Sequence, residues 1–157
     1  MTPAIRLLKQ QGIPFETLRF EHAEGAHSFG DEAAQALDYP AAQIFKTLMV
    51  TLDQRKLVVA IVPVAGTLDL KALARAAGAR KAAMAERVSA EQATGYIIGG
   101  ISPLGQKKSH PTFIDASARQ WDAILVSGGR RGLDISLAPE DLARLVKAQF
   151  VAIARID

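Results

Sequence analysis

Two β-branched runs, Ile44–Leu52 and Lys56–Val62, are separated only by Asp53-Gln54-Arg55, and this pairing constrains the fold more than any other feature of the chain. Apolar β-branched segments around a short polar break predict a hairpin, and segments this apolar belong at the centre of a sheet. Around it, Thr2 and Pro3 start a helix that Gly12 stops. Pro14–Phe20 reads as a strand, with Phe15, Leu18 and Phe20 only roughly alternating. Ser28-Phe29-Gly30-Asp31 resembles a capping box and opens a short helix through Leu37. Leu68–Ala77 is a helix closed by Gly78, and Ser89-Ala90-Glu91-Gln92 starts another that ends near Gly95. Short strands follow at Tyr96–Ile98, Thr112–Ile114, Ile124–Ser127 and Asp134–Leu137. A last helix starts at Pro139, with Glu140 and Asp141 in its first turn, and Phe150–Ala154 adds an edge strand. Short strands mixed with short helices predict an α+β fold around a mixed sheet. A length of 157 residues fits one domain spanning 1–157.

The chain has no cysteine, which excludes a protein thiol nucleophile, a thiolate metal site and a disulfide framework. The longest apolar run, Leu57–Ala65, is broken by Pro63 and falls well short of the ~18 residues of a membrane span. Met1–Arg6 shows no secretory signal, and the expected location is the cytoplasm. Net charge is only +3, but residues 101–132 carry Lys107, Lys108, Arg119, Arg130 and Arg131 against Asp115 and Asp122. A local excess of cations admits an anionic partner or an ordinary solvated face.

Gly99-Gly100-Ile101-Ser102-Pro103-Leu104-Gly105-Gln106-Lys107-Lys108 approaches a nucleotide P-loop in its glycine spacing. It fails as one, because Gln106 replaces the phosphate-binding lysine and Lys107 the magnesium-binding hydroxyl. Its glycines and Pro103 suit a stiff loop whose amides meet an ester oxygen as it gains charge. The same residues also suit a tight connection between two strands. Ser127-Gly128-Gly129-Arg130-Arg131-Gly132 is a second corner, either a hairpin turn or a phosphate contact. Lys46 lies on the strand face shared by Ile44, Leu48 and Val50, where it either snorkels to the rim or serves as a pocket cation. His22, His27 and His110 lack metal spacing, and Ser102, Ser127 and Ser136 lack a G-x-S-x-G context. Tyr39, Tyr96 and Trp121 read as packing residues. The residues thus offer glycines, a lysine and an aspartate, but no nucleophile.

Phe29-Gly30-Asp31-Glu32, Ile44-Phe45-Lys46-Thr47-Leu48, Val62-Pro63-Val64-Ala65-Gly66, the Gly99–Lys108 block and Ser127–Asp134 occur in the order found in one family. The chain resembles the YbaK-type Cys-tRNA(Pro) deacylases, within the group that includes the editing domain of prolyl-tRNA synthetase. The resemblance runs nearly end to end. It implies a mixed sheet or partly closed barrel flanked by short helices. It also implies hydrolysis of the ester between a misattached cysteine and the terminal adenosine of tRNA(Pro), without metal or cofactor. Prolyl-tRNA synthetase is the implied partner, in a ternary complex. Such editing exists because a pocket separates near-isosteric amino acids by only ~1–3 kcal/mol.

On that resemblance Lys46 holds and orients the acceptor end, and Gly99, Gly100, Ile101, Ser102 and Pro103 form the loop beside the scissile carbonyl. Phe20, Phe29, Gly30, Thr47, Ser127, Gly128 and Asp134 fall on substrate-binding positions. Lys107, Lys108, Arg130 and Arg131 are expected to meet the tRNA. Phe20 stands where relatives have a tyrosine, so that hydroxyl is missing here. The absent nucleophile is explained if the substrate's own thiol attacks its carbonyl. Proximity can contribute ~7–11 kcal/mol to such a step, offset in part by the strain of a four-membered ring. An activated water is the competing nucleophile.

Overall fold

A computed structural model describes residues 1–21 and 29–156. The chain runs through α1 (Pro3–Gln11), β1 (Glu16–Arg19), α2 (Phe29–Leu37), β2 (Phe45–Leu52), β3 (Lys56–Pro63), β4 (Thr67–Leu68), α3 (Leu70–Ala77) and β5 (Ala82–Met84). It continues through α4 (Arg87–Thr94), β6 (Thr112–Asp115), a 3-10 turn at Ala116–Gln120, β7 (Ile124–Arg130), β8 (Leu133–Leu137), α5 (Pro139–Val146), β9 (Gln149–Val151) and β10 (Ala154–Arg155).

The predicted hairpin forms, with β2 and β3 paired antiparallel from Phe45↔Pro63 to Leu52↔Lys56. Its turn places Asp53 and Gln54 at φ 51° and 59°, the left-handed conformation that matches strand twist. The Asp53 carboxylate accepts from the Arg80 and Lys81 amides at 3.0 and 2.9 Å, which anchors the turn. β3 is the middle strand of a five-stranded sheet ordered β5-β2-β3-β6-β9, and β6 and β9 run parallel to their neighbours. A three-stranded antiparallel sheet, β1-β8-β7, packs beside it, and β4 pairs with β10.

Strand alternation divides the core. Phe45, Met49, Val59 and Ile61 face α1, α5 and the apolar side of β7 and β8. Val50, Leu52, Val58, Ala60 and Val62 face Leu73 of α3 and Ile153. A third cluster joins Ile44, Ala33 and Leu125, with Leu18, Phe20 and Val64 packed against it. One parallel bridge, Ile44↔Leu125, links the two larger sheets, and among the described residues the sheets stay open rather than closing as a barrel.

Several elements differ from the expectation. Tyr96–Ile98 runs from a bend into a turn and is not a strand. Gly95 and Gly99, at φ 81° and 96°, turn the chain on both sides of it, and the Tyr96 hydroxyl donates to the Leu104 carbonyl at 2.6 Å. α3 starts at Leu70, because Leu68 pairs in β4 and the Asp69 side chain caps the helix by accepting from the Ala72 amide. α4 starts at Arg87, ahead of the Ser89 box, and its Glu91 serves Arg87 and the Ile98 amide instead. β7 runs to Arg130, past the expected end at Ser127, through a bulge at Gly128-Gly129. The edge strand β9 is shorter than Phe150–Ala154, and β5 and the 3-10 turn were not anticipated. The cap at Ser28, and His22 and His27, lie outside the described residues. Within the described residues no helix is long and apolar enough to cross a membrane.

Candidate active site

β5 pairs with β2 only at Val50–Leu52, which, among the described residues, leaves the Phe45–Leu48 stretch without a strand partner on that side. A cavity of about 230 Å³ lies along this stretch. At an unpaired edge both faces of a strand can contribute, so Lys46 and Thr47 line the same cavity although they point to opposite faces. Leu48, Val64, Ala33 and Phe20 supply apolar walls; Ile98, Gly99 and Ile101 form one side, and Ser127, Arg130, Arg131, Gly132 and Asp134 the other.

The polar groups in it are unequal. The Lys46 ammonium donates to the Gly66 carbonyl at 3.2 Å, and among the described residues it forms no ion pair, so two of its three donors remain for a ligand. Among the described residues the Thr47 hydroxyl oxygen is buried with no hydrogen-bond partner. Leaving such a group unpaired costs about 1–3 kcal/mol, a cost that a ligand's polar atom would remove. Ser127 and Asp134 are directly opposed across β7 and β8. The Ser127 hydroxyl accepts from the Gly129 amide at 3.2 Å. Arg131 forks onto Glu32 of α2 through Nε at 3.0 Å and a second nitrogen at 2.5 Å. Glu32 is 1% exposed, so this ion pair pins the β7–β8 hairpin to the first turn of α2 and holds the Arg131 pKa above its ordinary value.

Asp134 is 7% exposed, and burial pushes its carboxyl up from 3.8 to about 7. Below pH 3.8 it is protonated in folded and unfolded chains alike and costs nothing. Between 3.8 and about 7 the unfolded chain releases its proton while the folded chain retains it, so folding stability falls as pH rises through that window and levels off above it. The Asp134→Asn variant is therefore expected to gain on the wild type in melting temperature between pH 4 and 7, by about 2–4 °C per kcal/mol. A stability difference that stays constant with pH would remove the buried charge as its cause.

The Gly99–Pro103 loop divides its duties. Gly99 and Ile101 line the cavity, and their amides make no hydrogen bond among the described residues. The Gly100 amide is occupied, donating to the Ile97 carbonyl at 2.8 Å. Ser102 is fully buried behind the loop: its hydroxyl accepts from the Leu104 amide, and its carbonyl accepts from Gln106 Nε2 at 3.0 Å. Gln106 Oε1 in turn contacts His110 Nδ1 at 3.2 Å, so the loop is braced from the side away from the cavity. Pro103 lines a second cavity of about 260 Å³, shared with Leu7, Lys108, His110 and Leu145.

The structure thus brings together Phe20, Lys46, Thr47, Gly99, Ile101, Ser127, Arg130, Arg131 and Asp134. It places Gly100, Ser102, Pro103 and Gly128 off the cavity lining. Gly128 packs on Leu133 and its carbonyl accepts from the Thr2 hydroxyl. Lys107 and Lys108 are exposed and do not line the first cavity. Phe29 and Gly30 begin α2, and their side chains are not among those described. The sequence places Glu32, Leu48 and Val64 within motifs of the resemblance and Ile98 in an expected strand, but assigns none of them to the site. The Glu32–Arg131 pair spans 99 positions, and no local pattern signals it. Among the described residues no three His, Cys, Asp or Glu side chains cluster closely enough to hold a metal ion.

Comparisons with known proteins agree with this architecture. Residues 23–145 match the family described as the aminoacyl-tRNA editing domain. An Enterococcus faecalis protein, EbsC, named as a candidate Cys-tRNA(Pro)/Cys-tRNA(Cys) deacylase, is 40% identical over 152 residues, covering 97% of this chain and 92% of its own. A crystal structure of a candidate trans-editing enzyme for prolyl-tRNA synthetase matches with a TM-score of 0.84 at 22% identity, over 99% of both chains. A crystal structure of a hypothetical protein matches at 0.85 with 19% identity, over 98% of this chain and 99% of that one. At those identities the two structures speak for the fold alone. The family match covers most of the chain, and the Enterococcus relative covers nearly all of it, so the chain belongs to the aminoacyl-tRNA editing family.

Proposed function

We propose that residues 1–157 act as one editing domain, a trans-acting deacylase that cleaves cysteine from tRNA(Pro) at the ester to the terminal adenosine. The carrying observation is the cavity itself: among the described residues, an ammonium with spare donors, an orphaned threonine hydroxyl and a protonatable aspartate surround one small space beside two unengaged loop amides. Lys46 orients the sugar and ester end of the substrate. Thr47 donates to or accepts from it, and the Gly99 and Ile101 amides meet the carbonyl oxygen as it becomes an oxyanion. Asp134, once ionised, suits the cationic amino group of the aminoacyl cargo.

The chain offers no cysteine as nucleophile. In the substrate-assisted route the cargo's sulfur bonds to its own carbonyl carbon, the bond to the ribose oxygen breaks, and the thiol proton ends on that oxygen. The product is a four-membered thiolactone that water then opens. In the hydrolytic route a water attacks the same carbon and yields free cysteine directly. The protein's contribution is common to both, namely holding the ester and stabilising the oxyanion.

A net charge of +3 provides little long-range attraction for a whole tRNA. Prolyl-tRNA synthetase, which makes the error in the cytoplasm, is the partner that would deliver the substrate in a ternary complex. The test is deacylation of tRNA bearing cysteine, alanine, serine or proline, with and without the synthetase. Cysteine on tRNA(Pro) should be lost far faster than in buffer, with proline spared. Cysteine that survives as long as it does in buffer, even beside the synthetase, would overturn the proposal. Faster loss of alanine would reassign the cargo.

A further inference from the structure

The bend and turn after α4 present two large aliphatic side chains to solvent at the mouth of the cavity. Ile97 is 69% exposed and Ile98 36%, while Tyr96 beside them is 4% exposed. This is a held conformation, not a loose one. The Ile98 amide donates to Glu91 Oε2 at 2.8 Å, the Gly100 amide closes onto the Ile97 carbonyl at 2.8 Å, and the Tyr96 hydroxyl is tied to Leu104. Ile98 also lines the cavity, so the apolar surface starts inside the mouth and continues outward onto Ile97.

Cations flank this lip. Arg130 is exposed, lines the same cavity and has no ion pair among the described residues. Lys107 is exposed, and its amide donates to the carbonyl of Thr94 at the end of α4, two residues before Tyr96. Single-stranded nucleic acid is held by cations along its phosphates and by side chains that pack on base faces, aromatic ones most strongly and aliphatic ones such as isoleucine more weakly. The cavity volume of about 230 Å³ lies below the roughly 300–1,000 Å³ of pockets that enclose a whole small ligand. The cavity therefore takes the aminoacyl end, and the lip is an exposed apolar surface beside it on which the nucleotides on the 5′ side of the terminal adenosine can pack.

We infer that Ile97 and Ile98 form a packing platform for the nucleobase preceding the terminal adenosine, with Arg130 and Lys107 contacting the adjoining phosphates. The inference rests on the editing reading above and adds where the single-stranded 3′ end of the substrate lies. The experiment compares two cysteine esters without synthetase: an RNA minihelix with its single-stranded 3′ end, and adenosine alone. Ile97→Asp should raise KM for the minihelix about tenfold with kcat little changed, and leave the adenosine ester unaffected. Ile97→Ala should move KM in the same direction by less, and Ile97→Phe should restore or lower it. Equal losses on both esters, no loss on either, or a loss that appears only when synthetase is added would each overturn the platform. If the wild type cleaves neither ester without synthetase, the platform falls; if it still cleaves neither once synthetase is added, the editing reading falls with it.

Discussion

Replacing Lys46 with alanine is expected to abolish deacylation of cysteine from tRNA(Pro) while leaving the fold in place. The side chain is half-buried and makes one hydrogen bond, to the Gly66 carbonyl at the end of the turn after β3. That turn has its own closure, with the Gly66 amide donating to the Pro63 carbonyl at 3.0 Å, so its loss of one partner should cost about 1 kcal/mol. The functional loss is far larger. An ammonium preorganised in a small, mostly apolar cavity acts at a low effective dielectric, and removing one such donor typically costs 10²–10³ in rate. Single-turnover deacylation measured beside a thermal melt separates the two effects. Lys46→Arg should not rescue, because a planar guanidinium cannot occupy a site shaped for a compact ammonium on a flexible stem. A Lys46→Ala variant that retains a rate within a few fold of wild type would remove the lysine from the chemistry.

Gly100→Val is expected to damage both stability and activity, and through a different contact from the one the loop's sequence suggests. A Cβ at position 100 would lie 2.5 Å from Arg130 Cα, 2.8 Å from its carbonyl carbon and 2.9 Å from the Arg131 nitrogen. These are backbone atoms of the opposing hairpin, so relief requires moving β7 or the loop, not swinging a side chain. Overpacking of this kind costs about 1–3 kcal/mol or more, which for a domain of this size lowers the melting temperature by about 2–4 °C per kcal/mol. Displacing the loop also separates Gly99 and Ile101 from the Arg130 side of the cavity, so the rate should fall with the stability. Gly100→Ala should show the same signs at smaller size. A valine variant that melts and reacts like wild type would show that the two backbones do not touch.

How much the sequence revealed varies with the range of the interaction. The β2–β3 hairpin was legible because alternation and turn chemistry are local, and Asp53 is a residue type that tolerates positive φ. The α1 and α5 starts were legible for the same reason, since Pro3 and Pro139 fit the first helical turn. Ala82–Met84 carries no β-branched residue and is a strand only because β2 supplies a partner. Tyr96–Ile98 carries the right residues for a strand, but the flanking glycines and the Tyr96–Leu104 hydrogen bond turn it outward.

The site divides along the same line. Motif resemblance pointed to Lys46, Thr47, Ser127 and Asp134, yet nothing in their order says that they share one cavity. The unpaired Thr47 hydroxyl and the raised Asp134 carboxyl are products of burial, which no spacing encodes. The Ser102 and Pro103 expectation treated the loop as one catalytic unit. In the fold its first residues border the cavity, and the rest is braced by Gln106 behind it.

The backbone contact between Gly100 and Arg130 also limits how this scaffold can diverge. Two loops that touch main chain to main chain cannot lengthen or shorten independently, because an insertion in either would force the other apart. New cargo preferences are therefore more accessible through exchange of the wall side chains at Phe20, Ala33, Leu48 and Val64, which border the cavity and take no part in that backbone contact, than through changes in loop length.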